Sequence, residues 1–360
     1  MARKPPIIHI DALAFRGQAP VKIVGRMDMK ATAPLPDAAA ANWVDRHAPR
    51  GLLPWLKLAR LDRPTGIWLL MLPTWQGAAL AGAMHRAPPS LMLLGLFALG
   101  AVLMRAAGCA VNDMADRRMD ARVARTAGRP LASGQIGMMG AGLFTLACLL
   151  GSGAVLLALN PASLWIAAAA LPLVVIYPFM KRITWWPQAW LGLTFNWGVL
   201  LGFGAAQGGA SLAQALLTGG LAALAPPGGM LSWRLWSAPL ALYLGGVFWT
   251  LGYDTIYAVQ DMADDAAAGV KSSALRLGAR APQAIRAFYA ISLCLALAAG
   301  VLGRLGPLFF VGLVALGAHL EWQVRRLDLG DPAKALNLFK SNTVAGAILF
   351  FALVAGFWRG

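Results

Sequence analysis

About nine stretches of this chain are each long and apolar enough to cross the roughly 30 Å hydrocarbon core of a bilayer as a helix, beginning near residues 65, 90, 137, 161, 188, 238, 283, 305 and 341. Lipid offers no partner to a free backbone N–H or C=O, so such segments satisfy their polar groups internally as helices. The expectation is an all-α integral membrane protein, a bundle of about nine transmembrane helices. Composition agrees: 59% of residues are hydrophobic and only 13% are charged, about half the usual charged share of a soluble protein. A tenth apolar stretch, 210–225, is short, flanked by Gly-Gly and broken by Pro226 and Pro227. It is expected to be an interfacial or re-entrant piece of a long connection.

The chain carries 31 Lys and Arg against 15 acids, a balance that in a soluble protein would suggest nucleic acid. Here the basic residues sit between apolar runs and alternate in density from loop to loop. With the N-terminus cytoplasmic, 19 of them fall on the cytoplasmic side, among them Lys57, Arg60, Arg63, Arg117, Arg129, Lys181, Arg182 and Lys271; only Arg86, Arg234, Arg304 and Arg359 fall opposite. That asymmetry is the positive-inside pattern, and it fixes the orientation without invoking a nucleic-acid partner. Residues 1–50 lack an apolar run and read as a disordered, basic cytoplasmic extension, leaving 51–360 as the membrane domain. The segment W-L-K-L-A-R-L-D-R at 55–63 is expected to lie along the membrane surface, with Trp55 and the leucines inward and Lys57, Arg60 and Arg63 toward head groups. Asp62 reads as a helix N-terminal charge, His85 and His319 as surface or packing residues, and Cys109, Cys148 and Cys294 as small core residues.

The acids are concentrated where charge is most costly. Seven of the 15 lie in N-D-M-A-D-R-R-M-D at 112–120 and D-T-I-Y-A-V-Q-D-M-A-D-D at 254–265. Each motif begins inside the cytoplasmic end of an apolar helix, so both belong at the same membrane face. At 100° per residue, Asn112, Asp113, Asp116 and Asp120 share one arc, and so do Asp254, Tyr257, Asp261, Asp264 and Asp265. Two such acidic faces repel unless cations lie between them, and an oxygen-only donor set suits Mg²⁺ shared with a substrate diphosphate. Surface pairing of Asp116 or Asp120 with neighbouring arginines would explain single acids, but not the duplicated pattern. A secondary transporter with cation-binding aspartates is the alternative from another class.

These residues resemble the UbiA-type membrane prenyltransferases. R-A-A-G-C-A-V-N-D-M-A-D-R-R-M-D at 105–120, R-T-A-G-R-P-L-A-S-G at 125–134, Y-P-F-M-K-R at 177–182 and Y-D-T-I-Y-A-V-Q-D-M-A-D-D-A-A-A-G-V-K-S-S at 253–273 carry the resemblance, which runs from about Leu61 to the C-terminus. The Y-D-T-x-Y-A and Y-P-F-M-K-R strings favour the hydroxybenzoate branch of the family. The first 50 residues and the connection around 208–235 are longer than the family leads one to expect.

The resemblance implies a UbiA-like bundle in a bacterial inner membrane, with its site facing the cytoplasm. It implies transfer of a polyprenyl group from polyprenyl diphosphate to the ring carbon ortho to the hydroxyl of 4-hydroxybenzoate, as in ubiquinone biosynthesis, with the prenyl tail among membrane lipid. Asn112, Asp113, Asp116, Asp120, Asp254, Asp261 and Asp265 would hold Mg²⁺. Arg117, Arg129, Lys181, Arg182 and Lys271 would contact phosphate oxygens. Tyr177, Tyr253 and Tyr257 would lie near the diphosphate and the allyl cation. Asp254 would orient or deprotonate the phenol, and Arg63 or Arg105 would take its carboxylate.

The orientation has a direct test. Single cysteines placed in the 113–136 and 259–286 connections should be labelled by a membrane-impermeant reagent from the same side. Labelling from opposite sides would separate the two acidic motifs.

Overall fold

A computed structural model describes residues 42–122, 126–225, 232–260, 262 and 271–358; the side chains of Pro178, Lys181 and Arg182 lie outside that description. The described residues all fall within one unit, residues 34–360.

Two short helices lead in, α1 (Trp43–His47) and α2 (Leu53–Leu58). The long helices follow: α3 (Thr65–Met84), α4 (Leu91–Asp120), α5 (Met138–Ala158), α6 (Pro161–Ile183) and α7 (Pro187–Ala205). The short α8 (Leu212–Gly219) and a 3₁₀ turn (Gly220–Leu224) precede α9 (Trp233–Val259). The last part of the described chain is α10 (Ser273–Leu277), α11 (Ala281–Leu302), α12 (Pro307–Arg326), α13 (Pro332–Lys340) and α14 (Asn342–Ala355).

The protein is an all-helical integral membrane protein. Seven of its described helical segments are long and apolar enough to cross a membrane. With α6, whose apolar run ends at Tyr177, and α7, the long helices begin close to the positions expected from the sequence. Residues 210–225 form α8 and its 3₁₀ turn, too short to span, as their Gly and Pro flanks foretold.

Local chemistry sets the boundaries. Asn160 caps α6, its side chain accepting from Ser163 N–H at 3.2 Å, with Pro161 in the first turn. Its amide also donates to the carbonyls of Gly204 at 2.9 Å and Gly208 at 3.0 Å, tying the start of α6 to the end of α7. Ser90 caps α4 in the same way, accepting from Leu93 N–H. At Ser341 the chain breaks between α13 and α14; there Gln323 Nε2 donates to the serine hydroxyl at 3.0 Å, and Trp249 Nε1 donates to Asn342 Oδ1 at 2.9 Å.

Packing centres on α3 and α9, the two spans most enclosed by the protein. α3 lies against α4, α7 and α14, while α9 lies against α7, α11 and α13. Hydrophobicity gives helices little reason to associate in lipid, so small residues that let backbones approach must supply the contact. The α3–α7 seam shows this: a Cβ on Gly77 would stand 2.0 Å from the Val199 carbonyl oxygen, and one on Gly202 would stand 2.0 Å from that of Thr74.

Three expectations need correcting. The segment 55–63 is not one surface helix with its cations outward: α2 stops at Leu58, and Lys57 and Arg60 are buried at 4% and 8% exposure. They turn inward because distant acids compensate them, Asp45 for Lys57 at 2.8 Å and Asp113 for Arg60. Asp62, read as a helix N-terminal charge, lies just before α3, which begins after Pro64, and is buried beside Arg63. Cys294 is exposed on α11, whereas Cys109 and Cys148 are buried as expected. Residues 1–41 of the N-terminal extension lie outside the described residues, but 42–50 include α1, with Val44 fully buried and Trp43 Nε1 donating to the Leu61 carbonyl at 2.9 Å.

The α3–α7 seam should tolerate no added methyl. Gly77→Ala should cost about 1–3 kcal/mol of stability, the usual penalty for overpacking. Gly95→Ala, with nothing within 4 Å of the new Cβ, should melt like the parent in detergent. Equal melting of the two variants would refute the close approach.

Candidate active site

α4 carries the first acidic motif to its C-terminal end, and the four-residue spacing of Arg105, Cys109 and Asp113 sets these three on one face. Asp113 is 1% exposed. Its Oδ1 accepts from Arg60 Nη2 at 2.5 Å, while Arg129 Nη1 stands 3.5 Å from the same oxygen. Arg129 also donates to Asp120 Oδ2 at 2.9 Å, and the Thr126 hydroxyl donates to the Asp120 carbonyl. The connection after α4 is thereby folded back onto the motif. Asp113 Oδ2 is buried and has no hydrogen-bond donor among the described residues. Burial works against the Arg60 charge, but Asp113, with Cys109 and Asp62, outweighs it and holds the guanidinium above its ordinary range.

The second group gathers around Tyr177 of α6. Asp254 and Tyr257 of α9 and Arg105 and Cys109 of α4 all act electrostatically on its hydroxyl. Cys109 lies within the same reach of Arg60, so the two groups adjoin along α4. Asp113 of the first motif and Asp254, the described acid of the second, therefore lie toward the same end of the bundle.

Arg105 is half-buried, its guanidinium 5.8 Å from the centroid of the Phe195 ring and its Nε buried without a hydrogen-bond partner. It lies flush against the first turn of α3: a Cβ on Gly66 would meet its Nη2 at 2.6 Å. Arg63, one turn earlier in the chain, pairs with Asp62 at 3.3 Å. The Tyr257 ring packs on Phe339 of α13, centroids 4.6 Å apart.

Other expected residues are less central. Tyr253 is enclosed, 2% exposed, between Trp249 and Phe339, and its hydroxyl accepts from Thr250 at 3.2 Å. Its hydroxyl nonetheless shares the electrostatic neighbourhood of Asp254, Tyr177 and Arg105, so its position on α9 does not set it apart from the site. Lys271 donates to the Ile183 carbonyl at 3.3 Å and lies 5.9 Å from the Trp185 ring centroid, fastening the second connection to the end of α6. Arg117 Nε donates to the Leu131 carbonyl at 3.1 Å. Asn112 is exposed and Asp116 half-buried on α4. The side chains of Lys181 and Arg182, and the whole of Asp261, Asp264 and Asp265, lie outside the described residues. Among the described residues no three acids, imidazoles or thiols converge closely enough to hold an ion; of the second motif's four acids these include only Asp254. Sequence reading missed Arg60 altogether as a site residue, because its partner lies 53 positions away.

Residues 70–354 match the UbiA prenyltransferase family. The chain is 42% identical over 323 residues to the mitochondrial 4-hydroxybenzoate polyprenyltransferase of Homo sapiens, covering 89% of this chain and 80% of that protein. Among solved structures it resembles a UbiA homologue from Aeropyrum pernix, with TM-score 0.61, 25% identity, and coverage of 80% of this chain and 96% of that one. It also shares the fold of a UbiA homologue from Archaeoglobus fulgidus bound to GPP and Mg²⁺, with TM-score 0.57, 18% identity, and coverage of 84% and 99%.

If Tyr253 is a packing residue, Tyr253→Phe should lower stability by about 1 kcal/mol, the worth of one ordinary hydrogen bond, and leave the KM for a prenyl donor unchanged. A selective rise in that KM would return the hydroxyl to the site.

Proposed function

This chain belongs to the UbiA prenyltransferase family, and on that premise we propose that it transfers a polyprenyl group from polyprenyl diphosphate to the ring carbon ortho to the hydroxyl of 4-hydroxybenzoate, releasing diphosphate. Membership in a family of enzymes leaves the transporter alternative without support. Identity to hydroxybenzoate enzymes over most of both chains carries the choice of acceptor.

The residues fit a hard divalent cation. Asp113 Oδ2 is a buried acceptor without a donor among the described residues, and the surrounding acids offer oxygen only, the donor set that suits Mg²⁺. Asp113 and Asp116 on one side and Asp254, with Asp261 and Asp265, on the other would hold it. Once bound, Mg²⁺ supplies Lewis-acid stabilisation of the departing diphosphate. Arg129 lies beside Asp113 and Asp120, where a guanidinium donates to phosphate oxygens; Arg117, Lys181, Arg182 and Lys271 are proposed to extend that contact. Tyr177 and Tyr257 offer ring faces to the allylic cation that diphosphate leaves behind. Asp254 orients the phenol, whose oxygen makes the ortho carbon electron-rich enough to attack. Arg105, whose buried Nε has no hydrogen-bond partner among the described residues, takes the acceptor's carboxylate; Arg63 is already paired with Asp62. The prenyl tail extends into lipid, and the proposed location is a bacterial inner membrane with this end cytoplasmic.

Membranes containing the chain, given Mg²⁺, a polyprenyl diphosphate and a panel of acceptors, should prenylate 4-hydroxybenzoate and not benzoate. EDTA should abolish turnover, and Asp113→Asn should lower it by about a hundredfold or more, since even indirect partners of a metal site are worth 10–100-fold. Arg105→Ala should raise the 4-hydroxybenzoate KM by roughly tenfold to a hundredfold, as a charge-assisted contact worth about 1.5–3 kcal/mol implies, and spare 4-hydroxybenzyl alcohol. Full activity without divalent metal, or equal use of benzoate, would overturn the proposal.

A further inference from the structure

Arg60 is a buried cation that the local sequence points the wrong way, and its backbone is held at φ 60°, in the left-handed region that favours glycine. The other described non-glycine residues there, Arg86 and Arg304, are exposed at helix ends. At Arg60 the same conformation drives a long side chain into the bundle. Its Nη1 donates to the Lys57 carbonyl at 3.3 Å and its Nη2 to Asp113, so the guanidinium plane is fixed at two points.

The pairing is lopsided. A carboxylate that needs only charge compensation is best served by a guanidinium fork donating to both oxygens. Here both neighbouring cations among the described residues, Arg60 at 2.5 Å and Arg129 at 3.5 Å, stand on Oδ1, and Oδ2 is buried with no donor among those residues. A lone buried acceptor of this kind is costly unless something else fills it. Resting on the reading that Asp113 ligates the divalent cation, we infer that Arg60 is a positioning residue for that ligand. It pins Oδ1, stops the carboxylate from rotating and reserves Oδ2 for the metal, as the outer partners of metal ligands do elsewhere.

Charge and position make opposite forecasts. A cation this close to a metal repels it, so removing Arg60 for charge alone would tighten metal binding; losing a positioner weakens it. Mn²⁺ affinity of the purified full chain, measured by electron paramagnetic resonance with inorganic diphosphate present and no turnover, separates the two. Arg60→Lys, which keeps the charge but not the planar fork, should weaken Mn²⁺ binding about tenfold. It should likewise raise the Mg²⁺ concentration for half-maximal activity, with kcat recovering at saturating Mg²⁺. Should the lysine variant not survive purification, Arg60→Gln gives the same reading: weaker Mn²⁺ binding supports positioning. Wild-type or tighter affinity in either variant overturns the inference. Asp113→Asn is the control for the underlying site: if it binds Mn²⁺ as the parent does, the metal assignment itself falls, whereas loss there with no change at Arg60 removes only the positioning role.

Discussion

An ionised carboxylate inside an apolar bundle costs several kcal/mol unless cations and donors surround it, and Asp113 is a carboxyl group only 1% exposed. Its compensation organises the end of the protein around it. Arg60 is drawn in from the lead-in segment, Arg129 from the connection after α4, and Asp120 is engaged through Arg129. The lead-in is held in turn by the Lys57–Asp45 pair and by Trp43 on the Leu61 carbonyl. One buried charge thus explains why stretches that could have been solvated loops are folded against the helices.

The remainder of the bundle solves a different problem, association without a hydrophobic driving force. Glycines of α3 and α7 bring backbones into contact, and buried polar side chains join helices: Asn196 to Thr250 at 2.8 Å across α7 and α9, and Tyr289 to Gln323 at 2.7 Å across α11 and α12. These fixed seams hold α4, α6 and α9 in the relation that lets Arg105, Tyr177, Asp254 and Tyr257 share one electrostatic neighbourhood.

How much of this was legible in the sequence follows from the range of each signal. Helix positions were legible because a long apolar run is a local property, and the end caps at Ser90 and Asn160 agree with it. Asp113 and Asp254 stood out because a carboxylate in an apolar run is rare. The inward turn of Arg60 and Lys57 was not legible, since the pattern at 55–63 is equally consistent with a surface helix and only tertiary partners reverse it. Nor was the burial of Tyr253: its neighbours Asp254 and Tyr257 announce a site, while the rings that enclose it, Trp249 and Phe339, arrive from one turn before it and from α13. α1 was missed because its five residues carry too little periodicity to register.

The packing of Phe339 on Tyr257, together with the bond from Trp249 to Asn342, bears on how the protein is made. Both acidic motifs leave the ribosome and enter the bilayer well before α13 and α14 exist. Until those helices arrive, Tyr257 lacks its ring partner and Trp249 its acceptor. During synthesis the chain therefore passes through a stage in which the acids are already membrane-embedded while one wall beside them is absent. Completion of that wall waits for α13 and α14, so the order of insertion itself withholds a finished site until well after both motifs have been translated.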